Sequence, residues 1–221
     1  MSTFEPKFDT LNESQVALWP QLASAAQQGF VLYGGTGLAL RLGHRASVDF
    51  DFFNDRPLHK ETLRNALPFL IDAQTIQDEP NSLTVIAPAG DGDVKVSFFG
   101  NLKIGRIAVP DYTEDGVCQV ASMIDLCATK LKTIFDRIEA KDYRDILAIV
   151  TSGLSLEKGL AAASSMYGPQ FQPSELLKAL TYFEGGDLDD LTRIEREALA
   201  RAASSVETIP KIRKESDQLS A

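Results

Sequence analysis

The apolar positions of this chain alternate between helical and strand-like spacing. From Leu11 to Gln28 the period is helical, with Val16, Leu18, Trp19 and Leu22 as the apolar set. Asn12 or Ser14 marks its start, and Pro20 kinks or divides it. Residues 1–10 carry no period and read as an irregular arm. Phe30 to Tyr33 is a short apolar run that stops at two glycines, so it reads as a strand entering a tight turn. Leu38, Ala39, Leu40 and Leu42 then suit a buried helix, with Thr36 as its N-cap. After Gly43 the pattern switches to strict alternation. Val48, Phe50 and Phe52 fall on one face of a strand, Asp49 and Asp51 on the other.

Leu58 to Ile71 is again amphipathic and helical, with Leu63, Leu67, Leu70 and Ile71 on one side and Pro68 as a local disturbance. Short strands follow at 73–76, 83–86, 94–99 and 106–109. The segments Asp78-Glu79-Pro80-Asn81 and Pro88-Ala89-Gly90-Asp91-Gly92 read as hairpin turns. From Ser122 onward the chain is helical. Ser122 with Asp125 has the form of a capping box, and the helix continues, or restarts after Ala140, as far as Val150. Further helices are expected at 155–166, 173–183 and 188–206, with a break at Gly185-Gly186 and a polar, mobile tail from Ile209. The pattern predicts an α/β (α+β) fold: a lobe over 1–115 with a small mixed sheet flanked by helices, then a helical lobe over 116–221.

At 221 residues the chain is long enough for one domain or two small lobes. Its 44% hydrophobic and 24% charged content is that of an ordinary globular protein. No apolar run reaches membrane-span length and no signal-peptide pattern opens the chain, so no membrane is expected and the cytoplasm is the simplest location. The net charge of -9 argues against a surface that coats nucleic acid as a whole, but leaves room for a local basic patch. Cys118 and Cys127 lack metal or redox spacing and read as reduced, buried thiols. His44 and His59 sit in no ligand or nucleophile pattern and read as structural or exposed.

The glycine turn and the aspartates carry the candidate chemistry. Paired glycines let backbone approach a ligand closely. A helix that starts there offers N–H groups and a positive dipole end to phosphates. Asp49 and Asp51, at i and i+2 on a strand, have backbones roughly 6.6 Å apart and side chains on one face. Such a pair can converge on a divalent ion, and hard oxygen ligands beside phosphate suit Mg²⁺ or Mn²⁺.

Gly34-Gly35-Thr36, a short helix, then Arg45, Ser47, Asp49, Asp51 and Phe52 resemble the nucleotidyltransferases of the DNA polymerase beta superfamily, and more narrowly the AbiEii/AbiGii-type toxins. The resemblance spans roughly 30–150. It implies transfer of a nucleoside monophosphate from an NTP to an acceptor with release of pyrophosphate, in a cleft between the two lobes. It also implies a toxin of a toxin–antitoxin or phage-defence pair, with RNA such as the tRNA acceptor end as acceptor and an antitoxin protein as partner.

On this reading Asp49 and Asp51 hold metal, Gly34, Gly35 and Thr36 cradle phosphates, and Arg45 and Ser47 line the site. Gly37 departs from the group, which usually has alanine there. A third carboxylate is expected on the strand Asp93–Phe99, where the matching position holds Ser97. Ser97 is a poor metal ligand but can hydrogen-bond a phosphate or a ligand water, and Asp93 is the fallback ligand. Lys130 resembles a lysine that assists nucleotide binding, and Asp142, ahead of Asp145, resembles an acidic site residue. Both have a bland alternative as helix-surface charges, as does Lys132. Arg41, Arg45, Lys130, Lys132 and Arg137 would form the patch for an RNA backbone. Two other functions remain open on these residues: a small-molecule nucleotidyltransferase of the antibiotic-modifying type, and a nucleotide-binding module that has lost catalysis.

Overall fold

The aspartate strand lies inside a mixed sheet of eight strands. The computed structural model describes residues 2–221. The chain divides into two units, one built from the residues up to Ser122 together with 216–221, the other from 123–215.

In the first unit the strands are β1 (Thr3–Phe4), β2 (Val31–Tyr33), β3 (Asp49–Phe53), β4 (Gln74–Glu79), β5 (Ser82–Ala89), β6 (Gly92–Phe99), β7 (Asp111–Thr113) and β8 (Gln119–Val120). Their order across the sheet is β1-β7-β8-β2-β3-β6-β5-β4. The helices are α1 (Glu13–Leu18), α2 (Ala23–Gln27), α3 (Gly34–Leu42) and α4 (Lys60–Ala66). Alternation sorts the sheet into two faces. Phe50 and Phe52 pair in register with Val96 and Phe98, and all four are fully buried. Trp19 packs on Phe50 with ring centroids 5.9 Å apart, and Phe30 meets Phe98 edge-on at 5.3 Å. Asp49, Asp51 and Phe53 take the opposite face, paired with Lys95, Ser97 and Phe99. Both expected hairpins form. Glu79 pairs with Ser82 around Pro80-Asn81, and Ala89 pairs with Gly92 around Gly90-Asp91.

Prolines cut both expected N-terminal helices. Asn12 caps α1 in a reciprocal box with Gln15, and the chain tightens to a 3-10 turn at Trp19–Leu22, around Pro20, before α2. α4 ends at Ala66, with a separate 3-10 turn at Pro68–Leu70. Three expected apolar positions are exposed: Val16 at 47%, Val48 at 61% and Ile71 at 77%. Val48 precedes β3, so the alternation does not reach it. The expected strand at 106–109 reduces to one bridge, Arg106 to Ser216.

The two chain ends correct the sequence reading. The N-terminal arm contributes β1, parallel to β7. The tail is anchored rather than loose. Leu219 is fully buried, its N–H donates to Asp55 Oδ1 at 3.0 Å, and the Ala221 N–H donates to Gln119 Oε1 at 3.0 Å. Leu219→Ala is therefore expected to destabilise the sheet unit by about 2–3 kcal/mol, the lower range for a buried leucine truncation. Chemical denaturation reads this, and a change within ~0.5 kcal/mol would show that the tail does not hold the unit.

The second unit is helical: α5 (Met123–Asp136), α6 (Ala140–Thr151), α7 (Leu156–Tyr167), α8 (Pro173–Ala179) and α9 (Arg193–Ser204). α5 and α7 cross closely, since a Cβ on Gly159 would lie 2.4 Å from Cys127 Sγ. Burial pushes the Cys127 thiol up to about 12, so it is an inert packing group. Thr192 caps α9 in a box with Glu195, whose carboxylate also takes Arg144 Nε at 2.9 Å. Among the described residues no single helix is long and apolar enough to cross a membrane.

Candidate active site

The glycine turn and the aspartates meet because β2 and β3 run antiparallel, with Tyr33 opposite Asp51. That register brings the next residue, Gly34, against the Asp51 carboxylate. Gly34 has φ +69°, and a Cβ there would come within 2.5 Å of Asp51 Oδ2. A Cβ on Gly35 would lie 2.7 Å from Arg45 Nη2 and 3.1 Å from Ser47 Oγ. The backbone at the start of α3 is thus hemmed by a carboxylate on one side and by a guanidinium and a hydroxyl on the other, and glycine admits both. Gly34→Ala should strain the left-handed residue and push Asp51 aside. A displacement of that kind is expected to cost about 10²-fold in turnover, read by labelled-nucleotide transfer alongside a thermal melt. Parent-like turnover would separate Gly34 from the site.

Thr36 is not the N-cap. α3 begins at Gly34, and Tyr33 holds the cap position without capping the helix through its side chain. Thr36 is buried, its Oγ1 lies 2.8 Å from Ser47 Oγ, and it hydrogen-bonds the Asp49 carbonyl. Its hydroxyl ties the helix start to the aspartate strand and faces inward, so its contribution is to position. Ser47 is buried with it, while Arg45 is half-buried and donates from Nη1 to the Ala46 carbonyl at 2.9 Å.

Asp49 and Asp51 are both partly exposed on one sheet face. Across the parallel β3–β6 register, Asp49 faces Lys95 and Asp51 faces Ser97. Lys95 Nζ lies 3.5 Å from Asp49 Oδ2, with side chains 43% and 39% exposed. Ser97 is buried at 2% exposure, and Asp93 is exposed at the far end of β6. Among the described residues no group of three His, Cys, Asp or Glu side chains is placed to hold a metal. The fallback ligand Asp93 therefore does not complete a three-carboxylate set. Mg²⁺ is commonly held by one or two carboxylates plus substrate phosphates, and the aspartate pair fits that description. The contact of Lys95 with Asp49 was not foreseen from the sequence. The alternation of Asp93–Phe99 put Lys95 on the polar face, but its partner is visible only once the strand register is known.

Lys130 and Asp142 lie in the helical unit and are buried, which sets aside their bland alternative as helix-surface charges. Lys130 Nζ sits 2.7 Å from Asp142 Oδ1 and 2.7 Å from Asp145 Oδ2, and both aspartates are fully buried. Arg137 completes the cluster, with Nε 2.8 Å from Asp142 Oδ2 and Nη2 3.1 Å from Oδ1. Burial alone would raise the Asp142 pKa, but the Arg137 and Lys130 hydrogen bonds and charges outweigh it and hold the carboxyl below its usual value. Lys132 instead pairs with Asp136 at 2.6 Å near the surface. Arg41 is also committed within the fold: it donates to the carbonyls of Ala121 and Val120, pairs with Asp111 at 2.7 Å and covers the Phe4 ring. Arg41 and Lys130, both expected in the patch for an RNA backbone, thus each hold partners within the fold. His59 is exposed, as expected.

A family model described as nucleotidyl transferase AbiEii toxin, type IV TA system, matches residues 20–212, which take in the glycine turn, both aspartates and the Lys130 cluster. The chain belongs to this AbiEii family. It is accordingly a nucleotidyltransferase of a toxin–antitoxin system, with an NTP as substrate and an antitoxin as the other half of the pair. An uncharacterized protein of Aquifex aeolicus is 27% identical over 175 residues, 78% of this chain and 82% of that protein. Two solved structures share the fold. A candidate nucleotidyltransferase from H. pylori superposes with a TM-score of 0.58 at 19% identity, covering 86% of this chain and 92% of its own. MenT4, a nucleotidyltransferase toxin from Mycobacterium tuberculosis H37Rv, gives a TM-score of 0.58 at 16% identity, covering 88% and 84%. The AbiEii assignment agrees with the mixed α/β architecture expected from the apolar pattern.

Proposed function

We propose that this AbiEii-family chain transfers a nucleoside monophosphate from an NTP to an RNA acceptor, with the tRNA acceptor end as the first choice, and that it depends on Mg²⁺ or Mn²⁺. The observation that carries the reading is the meeting of two half-exposed carboxylates, Asp49 and Asp51, with the glycine-framed start of α3. Asp49 and Asp51 would hold the cation, which would supply charge neutralisation at the phosphates. The Gly34-Gly35 backbone, framed by Asp51, Arg45 and Ser47, would offer N–H groups and the positive end of α3 to phosphate oxygens. Arg45, beside Gly35, adds a fixed positive charge. Thr36 and Ser47 hold the turn against β3. Ser97 supplies a hydroxyl beside Asp51 for a phosphate or a water.

No carboxylate stands where Ser97 does, so deprotonation of the acceptor hydroxyl does not fall to a third aspartate. Catalysis then rests on positioning and on electrostatic stabilisation of the phosphoryl group. The cytoplasm, where NTP and tRNA are found, is the expected place of action. Lys130 and Asp142 enter this reading as a buried ion cluster that shapes the helical unit. Incubation with each labelled NTP, Mg²⁺ and total RNA is expected to leave label on a tRNA-sized band. Label on an aminoglycoside instead would favour the antibiotic-modifying reading. Label on no acceptor in either metal would overturn the proposed transfer.

A further inference from the structure

We propose that Lys95 is the built-in counter-ion of Asp49, which it releases when a metal–nucleotide complex binds, turning its ammonium to the triphosphate. The proposal rests on the assignment of Asp49 and Asp51 as the cation-holding pair. It starts from charge. Two carboxylates at i and i+2 on one strand face repel each other, so a cation set beside one of them is favourable. The sheet supplies a partner cation from within, because the parallel register sets Lys95 beside Asp49 and not beside Asp51. Ser97 is the register partner of Asp51, and the Gly34 backbone lies against the Asp51 carboxylate.

The Lys95 pair is built to exchange. Its 3.5 Å separation exceeds that of a good charge-assisted hydrogen bond, and both side chains are well exposed to water. An ion pair of this kind is weak. Lys130, locked at 2.7 Å between two buried aspartates, shows what a fixed lysine looks like in the same chain. A lysine has a long flexible stem and a point charge that suits phosphate. When Asp49 turns to a divalent cation, the Lys95 ammonium is repelled by that cation and attracted by the phosphates it carries. Free metal thus competes with Lys95 for Asp49, whereas metal bound to an NTP brings Lys95 a new partner. The consequence is coupling: the site favours the metal–nucleotide complex over the bare ion.

The test uses the full chain and two binding measurements that need no turnover. Mn²⁺ binding without nucleotide is followed by loss of the free-ion EPR signal. Binding of the α,β-methylene analogues of ATP, CTP, GTP and UTP with Mg²⁺ is followed by calorimetry. Lys95→Ala is expected to bind free Mn²⁺ about two- to fivefold more tightly, as loss of a weak competing pair requires. It should bind the preferred analogue about tenfold more weakly, for loss of one charged contact to phosphate. Lys95→Arg, which keeps the charge, should stay near the parent in both. Thermal melts of both variants should match the parent, since the side chain is exposed. Unchanged or weaker Mn²⁺ binding in Lys95→Ala would overturn the counter-ion role, and unchanged analogue binding would overturn the phosphate role. If Mn²⁺ binding by the parent survives Asp49→Asn with Asp51→Asn, the aspartate assignment fails first and this proposal falls with it.

Discussion

Asp49→Asn combined with Asp51→Asn is expected to abolish Mg²⁺-dependent NTP binding and to lower nucleotidyl transfer by at least about 10³-fold. The magnitude follows from what is removed. Loss of a single group that stabilises charge in such a reaction costs on the order of 10²–10³-fold, and here both carboxylates go together. Nothing else stands ready to replace them, since among the described residues no cluster of three metal-capable side chains exists and Ser97 faces Asp51. The fold should survive. Both side chains point to the partly exposed face of β3, the buried face being carried by Phe50 and Phe52. Asparagine keeps the size and shape of the side chain. Lys95 loses its partner but remains in water, which costs at most about 1 kcal/mol. Calorimetry with NTP and Mg²⁺, beside a thermal melt, checks both halves. Binding as tight as the parent's, in a folded double variant, would remove Asp49 and Asp51 from the centre of the site.

The glycine turn and the aspartate strand were legible because their signals are local. Two glycines after an apolar run, and aspartates alternating with phenylalanines, each state a backbone conformation within a few residues. The hairpins were legible for the same reason, since Pro80-Asn81 and Gly90-Asp91 carry their own turn chemistry. What stayed hidden depends on residues distant in sequence. β1, β7 and β8 are two or three residues long, too short for any period, and exist because sheet neighbours complete their hydrogen bonds. The tail looked polar, yet one leucine at position 219 finds a buried seat and the backbone follows it. Ile71 fits an apolar stripe by spacing but lies after Pro68 has redirected the chain, and Val16 sits on the exposed side of the short α1. Lys95 needed the β3–β6 register to acquire a partner. The burial of Lys130 was the least legible feature. A lysine on an amphipathic helix is ordinarily solvated, and its partners come from the next helix, beyond any i,i+4 rule.

That burial reverses what removing Lys130 should do. An exposed helix lysine would contribute little to folding. Lys130→Ala is instead expected to destabilise the protein by about 3–5 kcal/mol, because it leaves two buried aspartates with Arg137 as the cation at Asp142. In a chain of this size that corresponds to a fall in melting temperature on the order of 10 °C. Lys132→Ala is the control: its pair with Asp136 is near the surface, and the change should stay within about 1 kcal/mol. Acid should reproduce part of the effect. The Asp142 carboxyl is held below its usual value in the folded chain, so its contribution to stability is full above the unfolded carboxylate pKa of about 3.9 and is lost as pH falls through the lower folded value. The parent should therefore lose stability below about pH 4 through this group, and Asp142→Asn should flatten that part of the profile. Circular dichroism melts of the parent, Lys130→Ala and Lys132→Ala, repeated across pH, provide the measurement. Should Lys130→Ala melt with the parent while its nucleotidyl transfer drops 10²-fold or more, the lysine works at the phosphates as the family resemblance implies, and the ion cluster is not what holds the helices together.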